Sequence, residues 1–208
     1  MNKEARQISR LGIMGGTFDP IHFGHLVTAE GARYEYKLDK VIFIPTGQPP
    51  HKQNIKRTEP WSRFEMTRLA VATNPFFEIS PLEIERPGPS YTIDTVQEIA
   101  RLFPGTQIYF ITGADAVSEI LIWKKVEQIL SICRFIAATR PGYKLGETWK
   151  KIDELPQDLK KNILCMEVPA LAISSTGIRQ RVREGRPIKY LLPESVEEYI
   201  TSNNIYQD

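Results

Sequence analysis

Short apolar runs, most of them closed by glycine or proline, alternate along this chain with stretches of helical spacing, and that alternation constrains the fold more than any other feature. "RLGIMGG" (10–16), "DKVIFIPTG" (39–47), "TQIYFITGAD" (106–115), "CRFIAATRPG" (133–142) and "NILCMEVPA" (162–170) read as strands. "FFEISPLEIER" (76–86) reads as a strand pair or a bent strand, interrupted at Pro81. Helical spacing fills the intervals 24–38, 60–75, 90–105 and 116–131, the last with a break near Ile122-Trp123. Pro60 near a start and Pro75 past an end bracket the second of these, and Ser90 or Thr92 is the expected cap of the third. Residues 143–162 are polar and irregular, and two helices are expected over 174–185 and 193–203.

This order predicts an α/β fold: a Rossmann-like, doubly wound parallel sheet of about five to six strands with helices on both faces. Continuous apolar strands such as "VIFI" and "IYFIT" fit a sheet covered on both sides. With no repeat, low-complexity tract or linker, a single domain over 1–208 is expected, its part from about residue 174 helical. Such folds bind ligands beyond the carboxyl ends of their strands. The glycines at 15–16, 47 and 113 and the segment "ALAISST" all fall there.

Charge narrows the partners. Lys and Arg number 27 and Asp and Glu 25, a net +2, so no global basic field points to nucleic acid. Small anions need only local charge and remain in play. Cys133 and Cys165 are far apart in apolar runs and read as buried free thiols of a reducing compartment. "MNKEARQISR" is charged, without a signal-peptide core, and no apolar run nears the ~20 residues of a membrane span. No membrane association and a cytoplasmic location are expected.

The chemistry concentrates in two stretches. In "GIMGGTFDPIHFGHL" (12–26) a strand ends, glycine frees backbone N–H groups and a helix follows, a layout that offers an anion site without side-chain charge. It holds two of the three histidines, His22 and His25. An imidazole N–H donates to a phosphoryl oxygen. As a metal pair these histidines lack partners: there is no H-E-x-x-H and no nearby cysteine, so no protein-held metal is expected. Neither G-x-G-x-x-G nor a P-loop occurs, which disfavours an NAD-dependent oxidoreductase. In "ISSTGIRQR" (173–181), Ser174 or Ser175 caps a helix and Arg179 lies one turn in, where a guanidinium reaches an anion at the helix N-terminus.

Together "HFGH" and "ISSTGIR" resemble the signatures of the (H/T)-x-G-H nucleotidyltransferase superfamily. Within it, "GGTFDPIHFGHL" is similar to the bacterial nicotinate-nucleotide adenylyltransferases. "PTGQPPHK" (45–52), "PSYTIDT" (89–95), "TGADA" (112–116), "IW" (122–123) and "TRPG" (139–142) follow in that family's order. The resemblance spans roughly residues 9–200. It implies adenylyl transfer from ATP to nicotinate mononucleotide, giving deamido-NAD and pyrophosphate in NAD biosynthesis. The nucleophile is already an anion, so positioning and electrostatics, rather than a general base, would supply the acceleration.

The same resemblance assigns roles. His22 and His25 would contact the ATP phosphates, His25 at the transferred group. Ser174, Ser175 and Arg179 would hold the β- and γ-phosphates, with Ile173 beside them. Gly15, Gly16, Thr17 and Phe18 would line the phosphate site by their backbone. Gly113 would line the nucleotide site, and Asp115 would accept from a ribose hydroxyl or cap a helix. Mg²⁺ would ride on the ATP phosphates. For the acceptor, Trp123 would stack on the pyridine ring or serve the core, Thr92 would contact the carboxylate side, and Lys52, beside His51, or Arg140 would bind the phosphate. Homo-oligomers are common in the family. The competing readings are a sister enzyme acting on nicotinamide mononucleotide or phosphopantetheine, and a non-catalytic nucleotide sensor.

Overall fold

The computed structural model describes residues 8–49, 57–113, 123–139 and 156–207. Among these residues six strands form one all-parallel sheet: β1 (Arg10–Gly16), β2 (Lys40–Pro45), β3 (Phe77–Ile79), β4 (Gln107–Gly113), β5 (Cys133–Thr139) and β6 (Ile163–Glu167). Their order across the sheet is β3-β2-β1-β4-β5-β6. The helices among the described residues are α1 (Phe23–Glu35), α2 (Pro60–Val71), α3 (Leu82–Glu85), α4 (Thr92–Leu102), α5 (Val126–Ile132), α6 (Gln157–Lys160), α7 (Ser175–Arg183) and α8 (Glu194–Ser202). None is long and apolar enough to cross a membrane.

The continuous apolar runs exist because both faces of the sheet are covered. Along each central strand alternate residues turn to opposite cores. Leu11, Ile13, Ile44 and Phe110 pack with Ile93, Val96 and Ile99 of α4 and with Ile129 of α5. Met14, Phe43, Ile111 and Ile136 pack with Ala29 and Ala32 of α1, Met66 of α2, Ile178 of α7 and Val196 of α8. This is the doubly wound, three-layer arrangement that the strand–helix alternation predicts.

β1 pairs with β2 on one side and with β4 on the other. The winding therefore reverses between β1 and β4, and a crevice opens at their carboxyl ends. Both chemistry-bearing stretches meet there.

Three expectations need correction. Residues 76–86 are not a strand pair: β3 stops at Ile79, and Pro81 stands at the N-terminus of α3 instead of kinking a strand. The chain leaving β2 passes so close that a Cβ on Gly47 would lie 2.1 Å from the Glu83 carbonyl oxygen, so only glycine fits. Neither Ser90 nor Thr92 caps α4. The cap position is Tyr91, and the Ser90 hydroxyl instead accepts the Gln48 N–H at 3.1 Å. Cys133 is buried but Cys165 is exposed, because β6 is an edge strand. Of the helix expected over 116–131, only the part from residue 123 lies within the described residues, and α5 runs from Val126 to Ile132.

Candidate active site

The first stretch is a strand, a turn and a helix start. β1 ends at Gly16, and α1 begins after His22, whose extended backbone (φ −152°, ψ 172°) makes it the N-cap. Between them Phe18 takes φ 48°, a left-handed conformation that is uncommon outside glycine, with its ring buried edge-on to His25 at 5.1 Å.

His22 and His25 act as a pair. Their rings stack with centroids 3.8 Å apart and planes 27° off parallel. Gly24 makes the room, since a Cβ there would come within 2.9 Å of the His22 ring. The backbone N–H of His22 donates to Nδ1 of His25 at 3.2 Å. An acceptor nitrogen carries no proton, so neutral His25 bears its hydrogen on Nε2. Burial first, and the neighbouring His22 second, lower the His25 pKa from 6.5 to about 3. Before an anion binds, His25 is a neutral donor of fixed tautomer.

The second stretch closes the other side. Ser174 caps α7, its hydroxyl accepting the Gly177 N–H at 3.1 Å. Ser175 is the first helical residue, and its hydroxyl donates to the Pro20 carbonyl at 2.8 Å. Arg179 donates to the Asp19 carbonyl at 2.7 Å and to the Thr176 hydroxyl at 3.3 Å. The two stretches are thus bonded to each other at consecutive residues of the turn, Asp19 and Pro20.

A cleft of about 400 Å³ lies at this junction, within the usual range for a small-ligand site. His22, His25, Gly113, Ile173, Ser174 and Ser175, all of them candidates from the sequence, line it. Met14, Ala138, Val168 and Leu171 give it an apolar wall. Among the described residues no carboxylate lines it. Among the described residues no cluster of three His, Cys, Asp or Glu side chains is arranged to hold a metal ion.

Other expected residues stand back from the cleft lining. Gly15 and Gly16 end β1, and the Phe18 side chain is in the core. The Thr17 carbonyl accepts from Arg63 at 2.7 Å. Arg179 sits behind the α7 terminus on the Asp19 carbonyl. Thr92 opens α4. The half-buried Trp123 packs edge-on against Phe110 and Phe135, each at 5.8 Å. His51, Lys52, Asp115 and Arg140 lie outside the described residues.

Two residues escaped the sequence reading. Thr28 lines the cleft three positions after His25, a helical spacing that would have pointed to it. Arg63 is 1% exposed. Its guanidinium donates to the carbonyls of Thr58 at 3.0 Å, Thr17 at 2.7 Å and Gly47 at 3.5 Å, tying the ends of β1 and β2 to the start of α2.

Comparison with known proteins agrees with this geometry. Residues 13–181 match the cytidylyltransferase-like family. A protein of Moorella thermoacetica named "probable nicotinate-nucleotide adenylyltransferase" is 58% identical over 199 residues, covering 95% of this chain and 92% of the relative. One of the same name from Thermoanaerobacter sp. is 57% identical, covering 95% and 94%. Among solved structures, Plasmodium falciparum nicotinic acid mononucleotide adenylyltransferase complexed with NaAD shares the fold with a TM-score of 0.75. Its identity is 20%, over 95% of this chain and 97% of that one.

Proposed function

We propose a mechanism from one premise: the chain belongs to the nicotinate-nucleotide adenylyltransferases, within the cytidylyltransferase-like family. It transfers the adenylyl group of ATP to nicotinate mononucleotide, releasing pyrophosphate and forming nicotinate adenine dinucleotide in NAD biosynthesis. We read the whole chain as one domain working in the cytoplasm.

In the reaction an acceptor phosphate oxygen bonds to the α-phosphorus as the bond from that phosphorus to the β-phosphate bridging oxygen breaks. The electron pair leaves on pyrophosphate, and no proton needs to move. Two repelling anions must be held in line, so the protein's contribution is placement and charge neutralisation. The observation that carries this reading is the His22–His25 pair at the mouth of α7. The His22 N–H holds Nδ1 of His25, which leaves Nε2–H to donate to a non-bridging α-phosphoryl oxygen. A neutral donor suits this position, because it polarises the phosphoryl group without first losing a proton to it.

Ser174, the first N–H groups of α7 and Arg179 take the β- and γ-phosphates, where negative charge grows as pyrophosphate leaves. The apolar wall of Met14, Val168, Leu171 and Ile173 receives the adenine. Among the described residues the donors facing the cleft are imidazole, hydroxyl and amide, without a carboxylate. That set fits Mg²⁺ carried in on ATP, as part of the substrate, rather than a metal held by side chains. When bound, Mg²⁺ neutralises phosphate charge. The acceptor enters from the β2 side, with Thr92, Trp123 and Lys52 or Arg140 as its contacts.

The test is pyrophosphate release from MgATP with nicotinate mononucleotide, nicotinamide mononucleotide or phosphopantetheine as acceptor. Turnover greatest with nicotinate mononucleotide is expected. Turnover with phosphopantetheine alone would replace the substrate assignment, and none with any acceptor would favour a nucleotide sensor.

A further inference from the structure

The chain's last turn reaches back to the phosphate site. After α8 it folds over, with the Ile205 N–H on the Ile200 carbonyl at 3.0 Å, and Ile205 and Tyr206 pack against the core. The Tyr206 hydroxyl donates to Oδ1 of Asp19 at 2.7 Å, across 187 positions of sequence. Asp19 is 5% exposed, and its Oδ2 accepts the Thr58 N–H at 3.4 Å. The backbone carbonyl of the same residue is the one on which Arg179 is anchored, and the next carbonyl, that of Pro20, holds Ser175.

We propose that Tyr206 is a positioning residue for adenylyl transfer, acting through Asp19 on Arg179 and the α7 terminus. This rests on the adenylyltransferase reading above and goes beyond it. A buried carboxylate tolerates few orientations, because each oxygen needs a donor. With the phenol in place, one oxygen is held from the C-terminal turn and the other from the α2 side, so the Asp19 peptide cannot rotate. Its carbonyl then points at Arg179, and the guanidinium is presented in one orientation. Without the phenol hydroxyl, Oδ1 loses its donor and the turn at residues 18–20 relaxes. Both bonds from α7 to that turn relax with it, and the pyrophosphate side of the site loses alignment. The phenol keeps its proton throughout the working pH range, because burial, and then the Asp19 charge, raise its pKa far above the ordinary tyrosine value.

The test uses Tyr206→Phe, which removes one oxygen atom. The probe is α,β-methylene-ATP, bound to the full-length protein and measured by calorimetry without acceptor. Binding is expected to weaken about tenfold, with the KM for MgATP rising in step and the KM for nicotinate mononucleotide staying within about twofold of wild type. In an Arg179→Lys background the same change is expected to cost much less, because the two residues act in series. A wild-type protein that binds the analogue beside a Tyr206→Phe variant that binds it equally overturns the inference alone. Equal effects on both substrates, or full additivity with Arg179→Lys, also overturn it. A wild-type protein that does not bind the analogue overturns the adenylyltransferase reading and this inference with it. Should Tyr206→Phe fail to fold, Asp19→Asn keeps an acceptor oxygen but removes the charge facing the phenol. It is expected to weaken the analogue in the same sense, and unchanged binding overturns the proposal.

Discussion

Arg179 and Asp19 are 160 positions apart, yet the guanidinium of one lies 2.7 Å from the backbone carbonyl oxygen of the other. The residue expected to grip the leaving phosphates is therefore oriented by the turn that carries the histidines. Both halves of the proposed phosphate clamp are joined by hydrogen bonds at Asp19 and Pro20.

In the proposed mechanism Arg179 has two duties: to hold Asp19, as it does here, and to present donors to an anion. A planar fork can serve both, whereas an ammonium is a point charge on a flexible stem. Arg179→Lys is expected to lower kcat/KM for MgATP about 100-fold, and Arg179→Ala further, with little change in the KM for nicotinate mononucleotide. Steady-state kinetics with each substrate varied in turn checks this. A lysine variant with wild-type kcat/KM would show that charge alone suffices.

Gly24 separates stability from function. It lies in the first turn of α1, where alanine would ordinarily favour the helix by about 1 kcal/mol. A Cβ there meets the His22 ring at 2.9 Å and must displace the histidine stack. Gly24→Ala is expected to leave the melting temperature within a few degrees of wild type while kcat falls about 10²-fold, approaching the loss on removing His25 itself. Undiminished kcat would mean that the stack is dispensable.

His25 also sets a pH dependence of folding. Its folded pKa is about 3, below the ordinary 6.5. Between those values the unfolded chain binds a proton that the folded chain does not. Its contribution is therefore fully present above about pH 6.5 and is lost as pH falls toward 3, by at most about 1.4 kcal/mol per pH unit. Glu83 runs the other way: burial raises its pKa, so its contribution is lost as pH rises. Comparing wild type with His25→Gln isolates the histidine. Urea unfolding from about pH 7 to pH 5 is expected to show a shallower decline in the variant, and parallel curves would reject the assignment.

Trp123 lies at the junction of two readings. Edge-on packing against Phe110 and Phe135 is a core role, and partial exposure leaves surface for an acceptor ring. Trp123→Ala is expected to cost about 2–3 kcal/mol of stability and to raise the KM for nicotinate mononucleotide more than that for MgATP. Trp123→Phe should recover most of the stability but less of the acceptor KM. Parallel recovery of both would make the residue purely structural.

The legible parts of the sequence are those whose physics is local. β1, β2, β4 and β5 announce themselves because strands covered on both faces carry near-continuous apolar runs. The cap of α7, read as Ser174 or Ser175 and found at Ser174, follows from helix-end chemistry. The illegible parts depend on partners far along the chain. Pro81 reads as a bend in a strand until Gly47 is seen against the α3 backbone. Ser90 reads as a cap until Gln48 takes its hydroxyl. Nothing local to Asp19 announces that Tyr206 would meet its carboxylate.

Arg63 is the clearest case of such hidden dependence. A charged residue near the start of α2 is expected to face water. Here it is buried because three carbonyls from two connections converge on it, Thr17 after β1 and Gly47 and Thr58 between β2 and α2, two at ordinary hydrogen-bond distance and that of Gly47 at 3.5 Å. Desolvation is the main influence on its charge and lowers its pKa, with the Asp19 carboxylate acting in opposition. Arg63→Met would relieve that desolvation but leave the Thr17, Thr58 and Gly47 carbonyls without their donor. The cost is expected to be about 3–5 kcal/mol, a large share of the total stability of an ordinary domain. Arg63→Lys should recover little of it, since one ammonium on a flexible stem does not span three acceptors. Urea unfolding checks both variants. A methionine variant within about 1 kcal/mol of wild type would show that the loops hold their positions without the guanidinium.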